Sequence, residues 1–206
     1  MDQNTRILIA NSLLAAAAHI DAASKKFDPK AVEVANKTSR NLGAIGAKAV
    51  VPRVVRELAN KKDRILDFGA GKSAAHAANL REDGFNVVAY DFGSNVNPEI
   101  HDPNALEHGP YDLVYASNVL NVQSSLQMLT MTLRQIRSAM APGGIFVGNF
   151  PKEPRKMDAT SQEVADVVKS VFGSMPMVVR PGQKPKAVED YPAEPVFFIK
   201  KKAKKT

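Results

Sequence analysis

The feature that most constrains this chain is a short apolar run, Ile65-Leu66-Asp67-Phe68, followed at once by Gly69-Ala70-Gly71 and then by an alanine-rich segment that Gly84 stops. Strand, glycine turn and helix form half of a β–α unit, and such units stack into a parallel sheet covered on both faces. The alternation continues along the chain. Asn86 to Tyr90 reads as a strand ending at Asp91, and Tyr111 to Ala116 as another. Gln123 to Met140 reads as a helix with Leu126, Leu129, Leu133, Ile136 and Met140 on one face, closed by Pro142-Gly143-Gly144. Ile145 to Gly148 is the next strand. Thr160 to Phe172 is a helix that opens with a capping box, Thr160 and Glu163, and stops at Gly173. Met177 to Arg180 and Val196 to Lys200 read as two late antiparallel strands.

The first 60 residues have a different character. Helical spacing covers Ile7 to Ala23, Pro29 to Lys37 and Ala49 to Ala59, with a loop around Gly43 and Gly46. The expected organisation is an N-terminal helical extension over 1–60, a ligand-binding α/β domain over 61–200 and a basic tail over 201–206. Ligands on such sheets sit at the carboxyl ends of the strands, where the strand order reverses.

Composition narrows the chemistry. The 206 residues include no cysteine, which excludes a disulfide framework, a thiolate zinc site and a cysteine nucleophile. The four histidines, His19, His76, His101 and His108, show no HxH or HxxxH spacing, so no metal is expected. The run Ile7 to Ile20 is broken by Asn11 and Ser12 and lacks a positive leader, so it reads as a helix rather than a signal peptide. No stretch approaches a membrane span, and a cytoplasmic location is expected.

The net charge of +7 is unevenly spread. Residues 1–64 hold 12 Lys and Arg against 6 Asp and Glu, residues 65–150 hold 4 against 8, and residues 151–206 hold 12 against 7. Basic flanks suit a polyanionic partner such as a nucleic acid, although a solvated tail over Lys200 to Lys205 would also contribute to the pattern. With 6 % aromatics and no tryptophan, a stacking platform for single strands is disfavoured.

Three ligand classes compete for the turn Asp67-Phe68-Gly69-Ala70-Gly71-Lys72-Ser73. Gly71-Lys72-Ser73 ends like a phosphate-binding loop, but the glycine required five positions earlier is Leu66. Gly69, Gly71 and Ala74 satisfy GxGxxA, with Asp91 twenty residues after Gly71, which fits a nicotinamide cofactor. Asp67 fits that cofactor poorly, because a carboxylate would sit near the pyrophosphate. S-adenosylmethionine, a sulfonium with a free amino group, accounts for Asp67 as well, and Asp91 can accept both ribose hydroxyls.

Across Arg64 to Phe150, about two-fifths of the chain, the sequence resembles class I S-adenosylmethionine-dependent methyltransferases. ILDFGAGKS resembles their first motif, VVAYD the second, YDLVYASNVLN the fourth strand and its loop, and LRQIRSAMAPGGIFV the helix–turn–fifth strand unit. Ser73 stands where a third glycine is frequent. The phrase SNVLNV also resembles little-characterised methyltransferase-like proteins of phages and bacteria.

The resemblance implies a Rossmann-like α/β fold: a mostly parallel seven-stranded sheet with an antiparallel last pair, plus the N-terminal helices. The short span from Asp91 to Tyr111 leaves little room for a third strand. The cofactor-binding residues expected are Asp67, Gly69, Ala70, Gly71, Asp91, Phe92, Asp102, Ser117 and Asn118. Asp67 would face the amino-acid end, Asp91 the ribose, and Asp102 the adenine amino group.

For the acceptor, Asn121 and Asn149 are candidates to orient it, and Lys152, Arg155 and Lys156 to clamp an anion beside the cofactor mouth. The loop after the fourth strand lacks the (D/N/S)PP(Y/F) signature of base-amine methylation, and without cysteine a covalent cytosine adduct is excluded. No catalytic base stands out. A nucleic acid, a small molecule or a protein side chain thus stay open as acceptors, as does a cofactor-binding module that does no chemistry.

Overall fold

A computed structural model describes residues 29–39, 49–151 and 157–203. The expected helix Ile7 to Ala23 and the cluster Lys152, Arg155 and Lys156 lie outside the described residues.

The elements alternate as their local patterns require. Helix α1 is Pro29–Ser39 and α2 is Val50–Leu58. They are followed by β1 Arg64–Phe68, α3 Ala75–Glu82, β2 Asn86–Tyr90, a 3-10 turn Gly93–Asn95, β3 Tyr111–Ala116 and a second 3-10 turn Leu120–Val122. Then come α4 Leu126–Ala139, β4 Met140–Asn149, α5 Ser161–Phe172, β5 Met177–Val178 and β6 Val196–Lys200. The capping box forms as its sequence predicts, with Glu163 N–H donating to Thr160 Oγ1 and Thr160 N–H to Glu163, and Gly173 closes α5 at φ 80°.

The sheet order is β2-β1-β3-β4-β6-β5. The first four strands are parallel, and β6 runs antiparallel to both β4 and β5. Six strands are present among the described residues, where seven were expected. The missing one is the third: residues 97–108 form turns beside β2 instead, so β2 is the sheet edge. Boundaries also shift, the helix predicted from Gln123 beginning at Leu126 and the strand from Met177 ending at Val178. Helix α3 starts only at Ala75, because Ala74 takes a left-handed conformation (φ 45°) and its N–H closes onto Gly71 O at 3.0 Å. Strand β4 reaches back to Met140, which pairs with Tyr111, and the Pro-Gly-Gly corner is absorbed as a bulge before Ile145 pairs with Leu113.

Strand alternation separates two cores. Leu66, Phe68, Val114, Ala116 and Phe146 pack against α4 and α5, while Ile65, Leu113, Tyr115 and Val147 pack against α2 and α3. The order reverses between β1 and β3, so the loops after these two strands diverge and leave a crevice at their carboxyl ends.

Candidate functional site

The glycine turn follows β1 at this crevice. Gly69 and Ala70 N–H groups both donate to Tyr90 O, at 2.9 and 3.0 Å, tying the turn to the end of β2. Gly69 has φ +77°, and a Cβ there would lie 2.6 Å from Val119 Cγ2. Only glycine lets the loop after β3 approach this closely. Gly71, at φ +73°, faces open space, with nothing within 4 Å of a built Cβ. That gap is where a ligand can meet the backbone.

Asp91 ends β2 and reaches back across the turn. Its Oδ2 accepts from Gly71 N–H at 2.6 Å and its Oδ1 from Phe92 N–H at 2.8 Å. Burial raises its carboxyl above the ordinary range, while these two N–H groups favour the charged form. Asn95 also donates toward the carboxylate, which leaves an acceptor site for a hydroxyl donor. Phe92, Tyr90 and Phe68 cluster beside it with ring centroids 5.3–5.8 Å apart, a packed wall rather than a cage.

Asp67 lies on the other side of the turn, buried on the α2/α3 face in register with Tyr115. Burial pushes its carboxyl up to about 7, and the nearby Tyr115 hydroxyl pulls it the other way. Asp67 Oδ2 and the Tyr115 hydroxyl are both buried, and each is the other's polar neighbour. A carboxyl beside a glycine turn fits a cationic ammonium group, whose charge would favour its ionised form.

The loops after β3 and β4 meet at an amide pair. Asn149 Oδ1 accepts from Asn118 N–H at 2.7 Å, and Asn149 Nδ2 donates to Asn118 Oδ1 at 2.8 Å. This holds Asn118 at φ +59°, a left-handed conformation that asparagine tolerates better than most residues. Asn118 Nδ2 has no acceptor among the described residues, and Asn121 Oδ1 is buried without a partner. Ser117 to Ser125 and Gly148 to Pro151 contain no ionisable side chain.

Helix α1 lies across both 3-10 turns. Val32 and Ala35 pack on Val122, Met128 and Phe92. Asn36 Nδ2 donates to Phe92 O at 2.9 Å, Asn95 Nδ2 donates to Asn36 Oδ1 at 3.2 Å, and Ser94 Oγ donates to Glu33 at 3.0 Å. Helix α1 therefore packs over the loops that follow β2 and β3.

Of the residues predicted from sequence, Asp67, Gly69, Ala70, Gly71, Asp91 and Phe92 gather around the turn, and Ser117, Asn118, Asn121 and Asn149 around the neighbouring loops. Asp102 stands apart. Its carboxylate already accepts from Asn104 N–H (2.9 Å) and contacts His108 Nδ1 (2.6 Å), and it lines a cavity of about 450 Å³ along the outer edge of β2. Three residues escaped the sequence reading: His101, Asn95 and Asn36. Asn36 had a faint signal, an asparagine one position after Ala35 on the helix face that also carries Val32. His101 had none, because the histidines show no metal spacing. Among the described residues no His/Cys/Asp/Glu group could hold a metal, and no helix is long and apolar enough to cross a membrane.

The sequence profile of the family described as a methyltransferase domain matches residues 43–171. A search of curated proteins finds no match. Among solved structures, a TehB-like SAM-dependent methyltransferase from Corynebacterium glutamicum is 18 % identical with a TM-score of 0.58, over 85 % of this chain and 100 % of that one. A SAM-dependent methyltransferase from Bacteroides fragilis, in complex with S-adenosyl-L-homocysteine, is 15 % identical with a TM-score of 0.52, over 74 % and 77 %. An O-methyltransferase family protein from Burkholderia thailandensis is 12 % identical with a TM-score of 0.51, over 75 % and 56 %. With a profile covering more than half its length and the glycine turn, acidic strand end and sheet order in place, the chain belongs to the methyltransferase domain family, as a class I, S-adenosylmethionine-dependent member.

Proposed function

We propose that this methyltransferase acts on a small, neutral polar acceptor held by carboxamides at the ends of β3 and β4. The observation that carries this reading is the Asn118–Asn149 pair, which presents Asn118 Nδ2 as a donor close in sequence to the unpartnered acceptor Asn121 Oδ1. A buried polar atom without a partner costs about 1–3 kcal/mol, so a ligand that satisfies it is favoured by a similar amount.

S-adenosylmethionine, when bound, supplies an electrophilic methyl group. The chain's part is to bind and orient. Asp91 would hold the ribose, Asp67 would favour the amino end, and Phe92 would pack beside the base. Asn118 and Asn121 would aim the acceptor's lone pair in line with the methyl, since positioning supplies most of the rate in such a displacement. A nucleophile whose lone pair is free at neutral pH needs no base from the chain, which suits loops without ionisable groups. Helix α1 would exclude water above the reacting atoms.

The test is transfer of a labelled methyl group from S-adenosylmethionine into separate pools of small metabolites, protein, DNA and RNA. Label in the low-mass pool, lost in Asn149→Ala, is expected; label confined to polymers overturns the reading. A second reading, a nucleic-acid acceptor, is favoured by the charge distribution, with 12 basic residues in each flank. Its support is electrostatic attraction of phosphates by Lys152, Arg155, Lys156 and the tail.

A further inference from the structure

We infer that His101 is a positioning residue of the cofactor site, fixing the glycine turn in the conformation that Asp91 requires. The inference rests on the cofactor assignment and on Asp91, and is independent of the acceptor.

His101 sits in the segment that occupies the place of a third strand. The segment turns tightly: Ile100 and His101 N–H groups both donate to Asn97 O, at 2.9 and 2.8 Å. Asp102 N–H donates to Ala89 O at 2.9 Å, which docks the segment on the open edge of β2. The His101 side chain is thereby carried under the glycine turn, where the residue is only 2 % exposed.

The partners of the ring define its tautomer. Asn97 N–H donates to His101 Nδ1 at 3.0 Å, so Nδ1 must carry a lone pair and the proton sits on Nε2. Nε2 lies 2.9 Å from Gly71 O and donates to it. On the other side of the same residue, Gly71 N–H donates to Asp91 Oδ2 at 2.6 Å.

The N–H and C=O of Gly71 belong to two different peptide planes that meet at its Cα. Gripping both planes fixes φ and ψ of the residue that the absence of a side chain leaves freest. Ala74 N–H also bonds Gly71 O, but that bond is local to the turn and moves with it. His101 and Asp91 are the anchors from outside. Without the imidazole donor the plane between Gly71 and Lys72 can rotate. Gly71 is then held from outside by the Asp91 bond alone, and it can drift relative to the carboxylate that the ribose hydroxyls meet.

Two variants test this, with S-adenosylhomocysteine as the titrant and calorimetry as the readout. His101→Leu removes the donor at similar size, whereas His101→Gln can place an amide N–H near the position of Nε2. Leucine is expected to weaken binding about tenfold, the effect of one hydrogen bond, and glutamine to stay within about threefold of the parent. Both variants are expected to lose some thermal stability. A merely structural role would weaken binding equally in the two, in step with that loss, and would overturn the inference.

Should the leucine variant fail to fold, nitrogen-15 NMR of the parent imidazole decides. A neutral ring protonated on Nε2, with and without S-adenosylhomocysteine, is expected, and a proton on Nδ1 overturns the role. A parent that does not bind S-adenosylhomocysteine overturns the cofactor assignment and this role together. A parent that binds, beside a leucine variant that binds equally well, overturns the role of His101 alone.

Discussion

Asn149 and Asn118 bond to each other twice, backbone to side chain at 2.7 Å and side chain to side chain at 2.8 Å, across the ends of two neighbouring parallel strands. The pair holds a non-glycine residue at φ +59° beside the crevice. Conformations of that kind cost about 1–3 kcal/mol and persist only where the surroundings over-determine them.

Asn149→Ala should remove both bonds and let Asn118 relax. Stability is expected to fall by about 1–3 kcal/mol, because Asn118 N–H loses its partner. S-adenosylhomocysteine affinity should change little, while the KM for the acceptor rises. Thermal melts and calorimetry check the first two; equal loss of cofactor and acceptor binding would contradict the division of roles.

Asp91→Ala should weaken S-adenosylmethionine binding by about 1–3 kcal/mol, the effect of losing hydrogen bonds to a charged group. It should also destabilise the turn, since Gly71 and Phe92 N–H groups lose their acceptor. Asp91→Asn, which keeps one oxygen, is expected to fall between. Calorimetry with NAD as a parallel titrant checks the assignment, and tighter NAD binding would defeat it.

The two glycines of the turn should fail in different ways. Gly69→Ala drives a methyl into Val119 at a positive φ, so it should lower the melting temperature, and Val119→Ala in the same chain should restore part of the loss. Gly71→Ala meets no neighbour and should cost only the backbone strain of about 1–2 kcal/mol. Its methyl instead enters the ligand space, so cofactor binding should suffer more than stability.

Asp67 makes stability depend on pH. Burial pushes its folded carboxyl up to about 7 from an ordinary 3.8, so between those values the folded chain binds the proton more tightly than the unfolded chain. The contribution is complete below the unfolded value and is lost as pH rises through the folded one. From pH 6 to pH 8 the parent should lose about 1 kcal/mol through this group. Asp67→Asn should flatten that part of the profile in chemical denaturation, and a slope that persists would place the titration elsewhere.

Salt dependence separates the two acceptor readings. If the acceptor is a nucleic acid, replacing Lys152, Arg155 and Lys156 together with alanine should reduce the slope of log affinity against log salt by about 2–3 units. A small acceptor predicts no change. Removing 202–206, which follow the Lys201 bonds to Gly143 and Gly144, is the control for nonspecific attraction by the tail, measured by fluorescence anisotropy with labelled duplex.

What the sequence determined by itself is local. Strands Asn86–Tyr90 and Tyr111–Ala116 appear at the predicted limits, and the Thr160–Glu163 box forms, because alternation and capping depend on near neighbours along the chain. The order of motifs around Gly69, Gly71 and Asp91 was likewise legible, since a glycine turn and an acidic strand end act through their own backbone. Tertiary structure decided the rest. The bonds from Asn36 to Phe92, His101 to Gly71 and Asn149 to Asn118 cross 56, 30 and 31 residues, distances at which no periodicity carries information. The loss of the third strand belongs to the same class: a span of that length shows that space is short, but only the docking of His101 and Asp102 on β2 shows what replaced the strand. Packing also placed Asp67 on the α2/α3 face beside Tyr115, where burial, rather than the residue's own chemistry, raises its carboxyl.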